Sequence, residues 1–592
     1  MVDCGFQFGG IMVYWRKKFE TMEVRKMKFS EIRYERVNLE ARKVHAEELL
    51  RRLQEAACFD ELEQVIREDN EMDQLGLMSM RTVAQIRHDI DTRDAFYEEE
   101  TAFYDRELPK YQHLSQAWTQ ALLKSPFRAQ LEEKYGGVPL LNAQIRSRTF
   151  KPELVELLQK ENELTSQYGK LIASAQIEFD GKVLTLSQLA PYKLSTDDKI
   201  RRAAWRAEGK WFKDHGKELD RIYDELVVLR DDMGRKLGHN SYTALGYDRM
   251  QRNCYTEKDV EQFRIAVQNY VVPLCKRIYM EQAKRMGFEF PLSFADKDLA
   301  FRAGNPKPIG GPADILAAAD RFFSELSPET KEFWGKMREM EMMDVESKPG
   351  KAAGGYCTGI PSVRMPFIFS NFNGTDHDAK VITHEAGHAF AVYLNQDRLM
   401  AKLPGMEACE VHSMAMEAFA DQWIEEFYGK DAPKARYAHL AERLGLIAYG
   451  TMVDHFQHVV YEYPQFSPKE RHMVWQELLG VYMPWIRPDD IPFYGEGHGW
   501  QRQSHIYRMP FYYIDYCLAQ AVALQFWAMI QEDMDSAWKT YLDYTRQGGT
   551  KVFTELLAGA GLRSPFDPQC LKHVAEKVKA YLDGVDTEEI DR

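Results

Sequence analysis

Apolar and polar positions alternate along most of this chain with the period of a helix. In "ARKVHAEELLRRLQEAACF" the positions Val44, Leu49, Leu50, Leu53 and Ala56 recur at helical steps with charged residues between them. Such spacing gathers apolar side chains on one face, and that face must be buried against another element. Comparable stretches continue to about Ala173, so helices packed on helices are expected there. Two islands break the pattern. "QIEFDGKVLTL" alternates on either side of Asp180-Gly181, a dipeptide suited to the positive φ angles of a tight hairpin turn. Helical periodicity then resumes in "STDDKIRRAAWRAEGKWF", with Ser195 or Thr196 as the expected N-cap. The second island, "GGYCTGIPSVRMPFIFSNFNGT", is opened by Gly354 and Gly355, punctuated by Pro361 and Pro366, and closed by Asn373-Gly374. Asp378 stands where the N-cap of the next helix is expected.

Length and charge narrow the picture. With 592 residues, 45% hydrophobic and 28% charged, the chain can bury a large core. It contains no Pro/Gly/Ser-rich linker and no internal repeat, which predicts lobes sharing an interface. A formal net charge of -14 argues against nucleic acid or an anionic membrane as partner. The eight cysteines form no C-x-x-C pair, so neither a disulfide framework nor a Cys-type zinc site is signalled, and a reducing cytoplasm fits best. Near the start, "CGFQFGGIMVYWRKK" carries its charges after the apolar run, unlike a signal peptide, and no stretch is long and apolar enough for a membrane span. The compact pattern resumes at "MKFSEIRYERVNLE", so residues 1–26 read as a dispensable extension.

The candidate chemistry lies just after the second island, in "KVITHEAGHAFAVYL". Residues four apart on a helix are about 40° apart around the axis, so His384 and His388 point the same way at about 6 Å. That separation suits two nitrogens each about 2.1 Å from one zinc ion. Glu385 is turned about 100° away and reaches a water beside the metal. This is the H-E-x-x-H pattern, which ordinary residue frequencies would produce by chance in about one chain in thirty of this length. Context therefore decides. Ala386, Ala389, Phe390 and Tyr393 supply apolar surroundings, and Gly387 permits another backbone to approach. A third ligand is offered by "GMEACEVHSMAMEAFADQW", where Glu410, Ser413 and Glu417 share one helical face. Glu410 is the candidate ligand, with Ser413 and Glu417 as groups that orient ligands by hydrogen bonds. His412 is the rival, but it lies about 200° around the helix from Glu410, as a core histidine would.

With "HEAGHAF", "EVHSMAMEAFA", "GGYCTGIP" and "HIYRMPFYYIDYCLAQ" together, the chain resembles the thimet oligopeptidase and oligoendopeptidase F family of zinc oligopeptidases. The opening "MKFSEIRYERVNLE" is similar to bacterial oligoendopeptidases of the Pz-peptidase type, so the resemblance runs from about Met27 to the C-terminus. It implies a mainly α, zincin-type fold in which two helical lobes enclose a deep substrate channel and a small β-sheet lies beside the zinc helix. It also implies a division into an N-terminal helical lobe, 27–193, and a metallopeptidase domain, 194–592. His384, His388 and Glu410 match the family's ligands to one Zn2+ per chain, and Glu385 its general base. The family's C-terminal His/Tyr motif falls on His505, Tyr512, Tyr513 and Tyr516; Tyr516 is favoured as the transition-state donor, and at least one of the three tyrosines is expected to be a core aromatic. Gly354, Gly355 and Tyr356 are candidates for an edge strand that pairs with an extended substrate, or for an ordinary core hairpin.

The expected activity is hydrolysis of internal bonds in oligopeptides, by a monomer or a homo-oligomer. Removal of C-terminal dipeptides is the nearest alternative. A peptide-binding protein with an idle zinc site is the alternative from another class, and Glu385 argues against it because binding alone requires no base.

Overall fold

The computed structural model describes residues 27–591, so the expected extension at 1–26 lies outside the described residues. The periodicity is realised as a mainly helical molecule with small sheets. Leu39–Glu55 is a helix capped by Asn38, whose side chain accepts from the Ala41 amide, and Leu49 and Leu53 are buried on its inner face. Val44, expected on that face, is 51% exposed. The Asp180-Gly181 hairpin forms between Ile177–Phe179 and Lys182–Leu184, with φ of 51° and 71° at the turn. The next helix, Asp198–Asp214, is capped neither by Ser195 nor by Thr196: the Asp197 carboxylate accepts from the Lys199 and Ile200 amides.

No linker separates the two sides of Leu194. One core cluster holds Leu164 and Tyr168 together with Phe212, Tyr223 and Tyr507, and the Tyr168 and Tyr507 rings stack at 4.0 Å. Burial at about 25 cal/mol per Å² of apolar surface rewards this sharing, because the residues on each side cover apolar surface of the other. A smaller cluster around Leu49, Leu62 and Leu131 belongs to the N-terminal helices.

The second island supplies two strands, β2 (Tyr356–Ile360) and β3 (Met365–Phe372), of a three-stranded sheet whose first strand, β1 (Met343–Glu346), lies before the island. Its order is β1-β3-β2, with β1 parallel and β2 antiparallel to the central β3. The near-continuous apolar run of β3 follows from burial on both faces. β2 is an edge strand that starts at Tyr356, and Gly354 and Gly355 lie just before it, Gly354 with φ 97°. The N-terminal helix Ser79–Ile90 reaches this edge: the Tyr356 hydroxyl donates to Asp89 at 2.9 Å, and the Ser362 amide donates to the Ser79 hydroxyl at 2.9 Å.

Four helices follow and carry the site: α1 (His377–Asn395), α2 (Met406–Ala420), α3 (Ala432–Glu462) and α4 (Tyr513–Glu532). Asp376, and not Asp378, holds the N-cap position of α1. Asp378 turns back, and its carboxylate accepts from the Asn373 and Gly374 amides at 3.0 and 2.7 Å, so it closes the preceding turn instead. α2 lies between α1 and α4, and α4 also packs along α3.

Candidate metal centre and peptidase site

α1 presents His384 and His388 on one face, with ring centroids 5.0 Å apart. Gly387 lies on the α2 side: a Cβ there would sit 2.6 Å from the His412 carbonyl and from Ser413 Cα. Only glycine allows α2 this close, and the approach brings Glu410 to the two imidazoles. Its Oε2 lies 3.4 Å from His384 Nε2 and 3.2 Å from His388 Nε2. The donor atoms of His384, His388 and Glu410 all fall within 4.8 Å of one another. His412 does not join them. It is buried, its Nδ1 has no partner among the described residues, and burial lowers its pKa to about 3, so it is a neutral core imidazole.

The surrounding groups orient these donors. His384 Nδ1 pairs with Glu417 Oε1 at 2.6 Å, which turns Nε2 toward Glu410. The Ser413 hydroxyl lies 3.0 Å from Glu410 Oε2, and the Tyr512 hydroxyl donates to Glu410 Oε1. Burial opposes the ionisation of Glu410, but His388 and His384 outweigh it and hold the carboxyl well below its ordinary range. Burial likewise opposes a charge on His384, yet Glu410 and Glu417 hold its pKa well above the usual imidazole value. Two imidazole nitrogens and a carboxylate oxygen facing one point, with a second carboxylate behind, suit a divalent cation: the donors converge, and a cation answers the negative charge. Glu385, 6% exposed, has one carboxylate oxygen without a partner among the described residues, and burial raises its pKa. A Cβ on Gly355 would lie 3.7 Å from Glu385 Oε1, so the start of the edge strand borders this carboxylate.

The C-terminal aromatic group is brought to the same place, and its members are differently engaged. His505 Nε2 lies 3.3 Å from the Tyr516 hydroxyl. Tyr512 is committed to Glu410. Tyr513 turns toward α3, its ring 5.8 Å from that of Tyr449, and it packs where Gly450 has no side chain. Burial, then the charge of Glu410, pushes the Tyr512 and Tyr516 phenols well above their ordinary pKa, so both remain protonated donors. Burial lowers the pKa of His505 to about 4.

Several supporting residues carried no local signal. Arg252 is buried and donates to Asp515, to Glu407 at 3.3 Å and to the Phe511 carbonyl at 2.9 Å. One guanidinium thereby ties the first turn of α2 to the first turn of α4 and to Phe511, which adopts φ 66°. The Phe511 amide donates to Gln457 at 2.9 Å. Gln503 and Tyr449 stand behind His505. Gln503 lies two residues before the histidine, and that proximity was its one available cue.

Comparison with known proteins agrees with this geometry. Residues 29–150 match the description "Peptidase M3 N-terminal domain" and residues 329–576 match "Peptidase family M3". No curated protein matches the chain. Among solved structures, a protein designated an oligoendopeptidase F superposes with a TM-score of 0.93 at 43% identity, covering 95% of this chain and 99% of that one. Pz peptidase A with an inhibitor gives 0.93 at 43% identity, covering 94% and 100%. An oligoendopeptidase F designate from Bacillus anthracis strain Ames gives 0.89 at 39% identity, covering 95% and 99%. A mainly helical fold, an H-E-x-x-H helix meeting a carboxylate from its neighbour, and near-complete coverage at this identity place the chain in peptidase family M3, as a metalloendopeptidase.

Proposed function

We infer that the protein is a zinc-dependent oligoendopeptidase that cuts internal bonds of short peptides in the cytoplasm, with His384, His388 and Glu410 as ligands to one zinc ion. The convergence of these three donors, backed by Glu417, Ser413 and Tyr512, carries the reading. Zinc bound there supplies Lewis-acid polarisation and lowers the pKa of a water. Glu385 accepts the proton of the attacking water and later delivers it to the leaving amine, a role that its unpartnered oxygen and raised pKa suit. Tyr516, beside His505, donates to the negative charge developing on the carbonyl oxygen. The edge strand from Tyr356, with Gly354 and Gly355 before it, pairs with an extended substrate backbone, which brings the scissile bond past Glu385.

Preference for short peptides is expected if an N-terminal lobe, 27–193, walls the approach to a catalytic domain at 194–592; the contacts of Asp89 with Tyr356 and of Ser79 with Ser362, beside the edge strand, support this reading. A folded protein would have to unfold to thread past it, at about 5–15 kcal/mol for a typical domain. The test compares a short peptide blocked at both ends with the same sequence in an exposed loop of a stable protein, with and without chelator. Rapid internal cleavage of the peptide alone, abolished by chelator, is expected. Equal cleavage of both substrates would mean an open cleft, and failure to cut a C-terminally blocked peptide would mean a carboxydipeptidase.

A further inference from the structure

His505 has two ring nitrogens, and which one holds the proton decides what Tyr516 can do. His505 Nε2 faces the Tyr516 hydroxyl at 3.3 Å, and Nδ1 faces the Gln503 side-chain amide at 2.8 Å. If Nε2 carried a lone pair, it would accept the Tyr516 proton and withdraw the hydroxyl from substrate. If Nε2 carries the proton, it donates to the Tyr516 oxygen and leaves that hydroxyl hydrogen free.

The surroundings select between these arrangements. Gln503 Nε2 is the atom beside His505 Nδ1, and Gln503 Oε1 accepts from the Tyr449 hydroxyl at 3.1 Å. Reversing the amide would point its hydrogens at Tyr449 and leave the Tyr449 proton without an acceptor, since Gln503 is the hydrogen-bond partner of Tyr449 among the described residues. Gln503 is itself held by the backbone, its amide donating to the Trp500 carbonyl at 3.0 Å and its carbonyl accepting from Ile506 at 3.1 Å. Donors therefore run in one direction, from Tyr449 to Gln503 to His505 to Tyr516. An amide that donates to Nδ1 requires a lone pair there, and a neutral imidazole then carries its proton on Nε2.

We propose that Gln503 is a positioning residue which fixes the His505 proton on Nε2 and so frees the Tyr516 hydroxyl to donate to the reacting carbonyl. The inference rests on the reading of Tyr516 given above. The groups that face His505 are the rings of Tyr512, Tyr513 and Tyr516, the amide of Gln503, and the charges of Glu410 and Arg508.

The test uses the zinc-loaded full chain. Nitrogen-15 NMR of histidine-labelled enzyme, with the His505 signals assigned by difference against His505→Gln, reports the tautomer without reference to activity. The expected result is a protonated Nε2. In Gln503→Glu the carboxylate can only accept, so neutral His505 moves its proton to Nδ1 and turns a lone pair on Tyr516. Its imidazolium form still carries both protons. Turnover of Gln503→Glu should therefore approach that of wild type at low pH and fall about tenfold or more as His505 deprotonates, with KM and zinc content unchanged. Gln503→Met, which neither donates nor accepts, should lose turnover without gaining that alkaline decline. A proton on Nδ1 in the wild type, or a Gln503→Glu profile parallel to wild type, would overturn the proposal. Tyr516→Phe separates the two failures: if it too is silent while Nε2 is protonated, the reading of Tyr516 is what has failed.

Discussion

The site has two halves that are held in different ways. The metal half comes from two consecutive helices, with His384 and Glu417 only 33 positions apart, and its geometry is set where Gly387 admits the backbone of α2. The donor half places His505 and Tyr516 by side-chain hydrogen bonds: Gln503, two positions before the histidine, with Tyr449 behind it, and Arg252 reaching Asp515 from 263 positions away. Close backbone packing leaves few alternative arrangements, whereas a hydrogen-bond relay can be redirected by one atom. Substitutions in the metal half should thus remove activity outright, and those in the donor half should grade it.

The largest effects should come from the metal half. His384→Ala should abolish zinc binding and turnover together. Glu385→Gln should keep the zinc and fold but lose about 10²- to 10⁴-fold in turnover, since the amide cannot accept a proton from water. Elemental analysis beside kinetics distinguishes the two, and near-normal turnover in Glu385→Gln would remove it as the base.

Tyr516→Phe sharpens the contrast at the next level. Loss of one oxyanion donor should cost about 10²-fold in turnover at nearly constant KM, with zinc retained. Tyr512→Phe should instead act on the metal half, because the Tyr512 hydroxyl is spent on Glu410: weaker zinc retention, by about 10- to 100-fold, is expected. If the two variants exchange these signatures, the assignment of the tyrosines is reversed.

The effect furthest from the chemistry concerns the brace behind α1. His439 lies 2.9 Å from Asp376 at the N-terminus of α1 and 3.8 Å from Asp421. Burial opposes its charge, but Asp376 and then Asp421 raise its pKa from 6.5 to about 9. A raised pKa stabilises the folded state fully below the unfolded value, and the contribution is lost as pH rises through the folded one. Stability of the zinc-free protein should therefore decline between pH 6.5 and about 9 by on the order of 3 kcal/mol. Denaturant unfolding of His439→Gln should show a flatter dependence there; an equally steep one would place the titration elsewhere.

Much of this protein was legible in its sequence. Helical periodicity specified the helices, Asp180-Gly181 the hairpin, and the glycine-proline island two of the three strands of the sheet, because each depends on neighbours a few positions away. The positions of His384, His388, Glu410, Ser413 and Glu417 followed from the same 3.6-residue repeat. Caps were misread where competing acceptors stood side by side: Asp197 displaced Ser195 and Thr196, and Asp378 served the preceding turn because its carboxylate met the Asn373 and Gly374 amides first. Only the tertiary structure decided which tyrosine faces which partner, since Tyr512, Tyr513 and Tyr516 open one helix and differ by what lies opposite each: Glu410, α3 and His505. Arg252 and Tyr449 were invisible for the same physical reason, and the proximity of Gln503 to His505 did not reveal the direction of its amide. A buried hydrogen bond is specified by the direction and distance of two groups in space, and no local pattern records that direction, whether the partner lies two positions away, as for Gln503 and His505, or 263, as for Arg252 and Asp515.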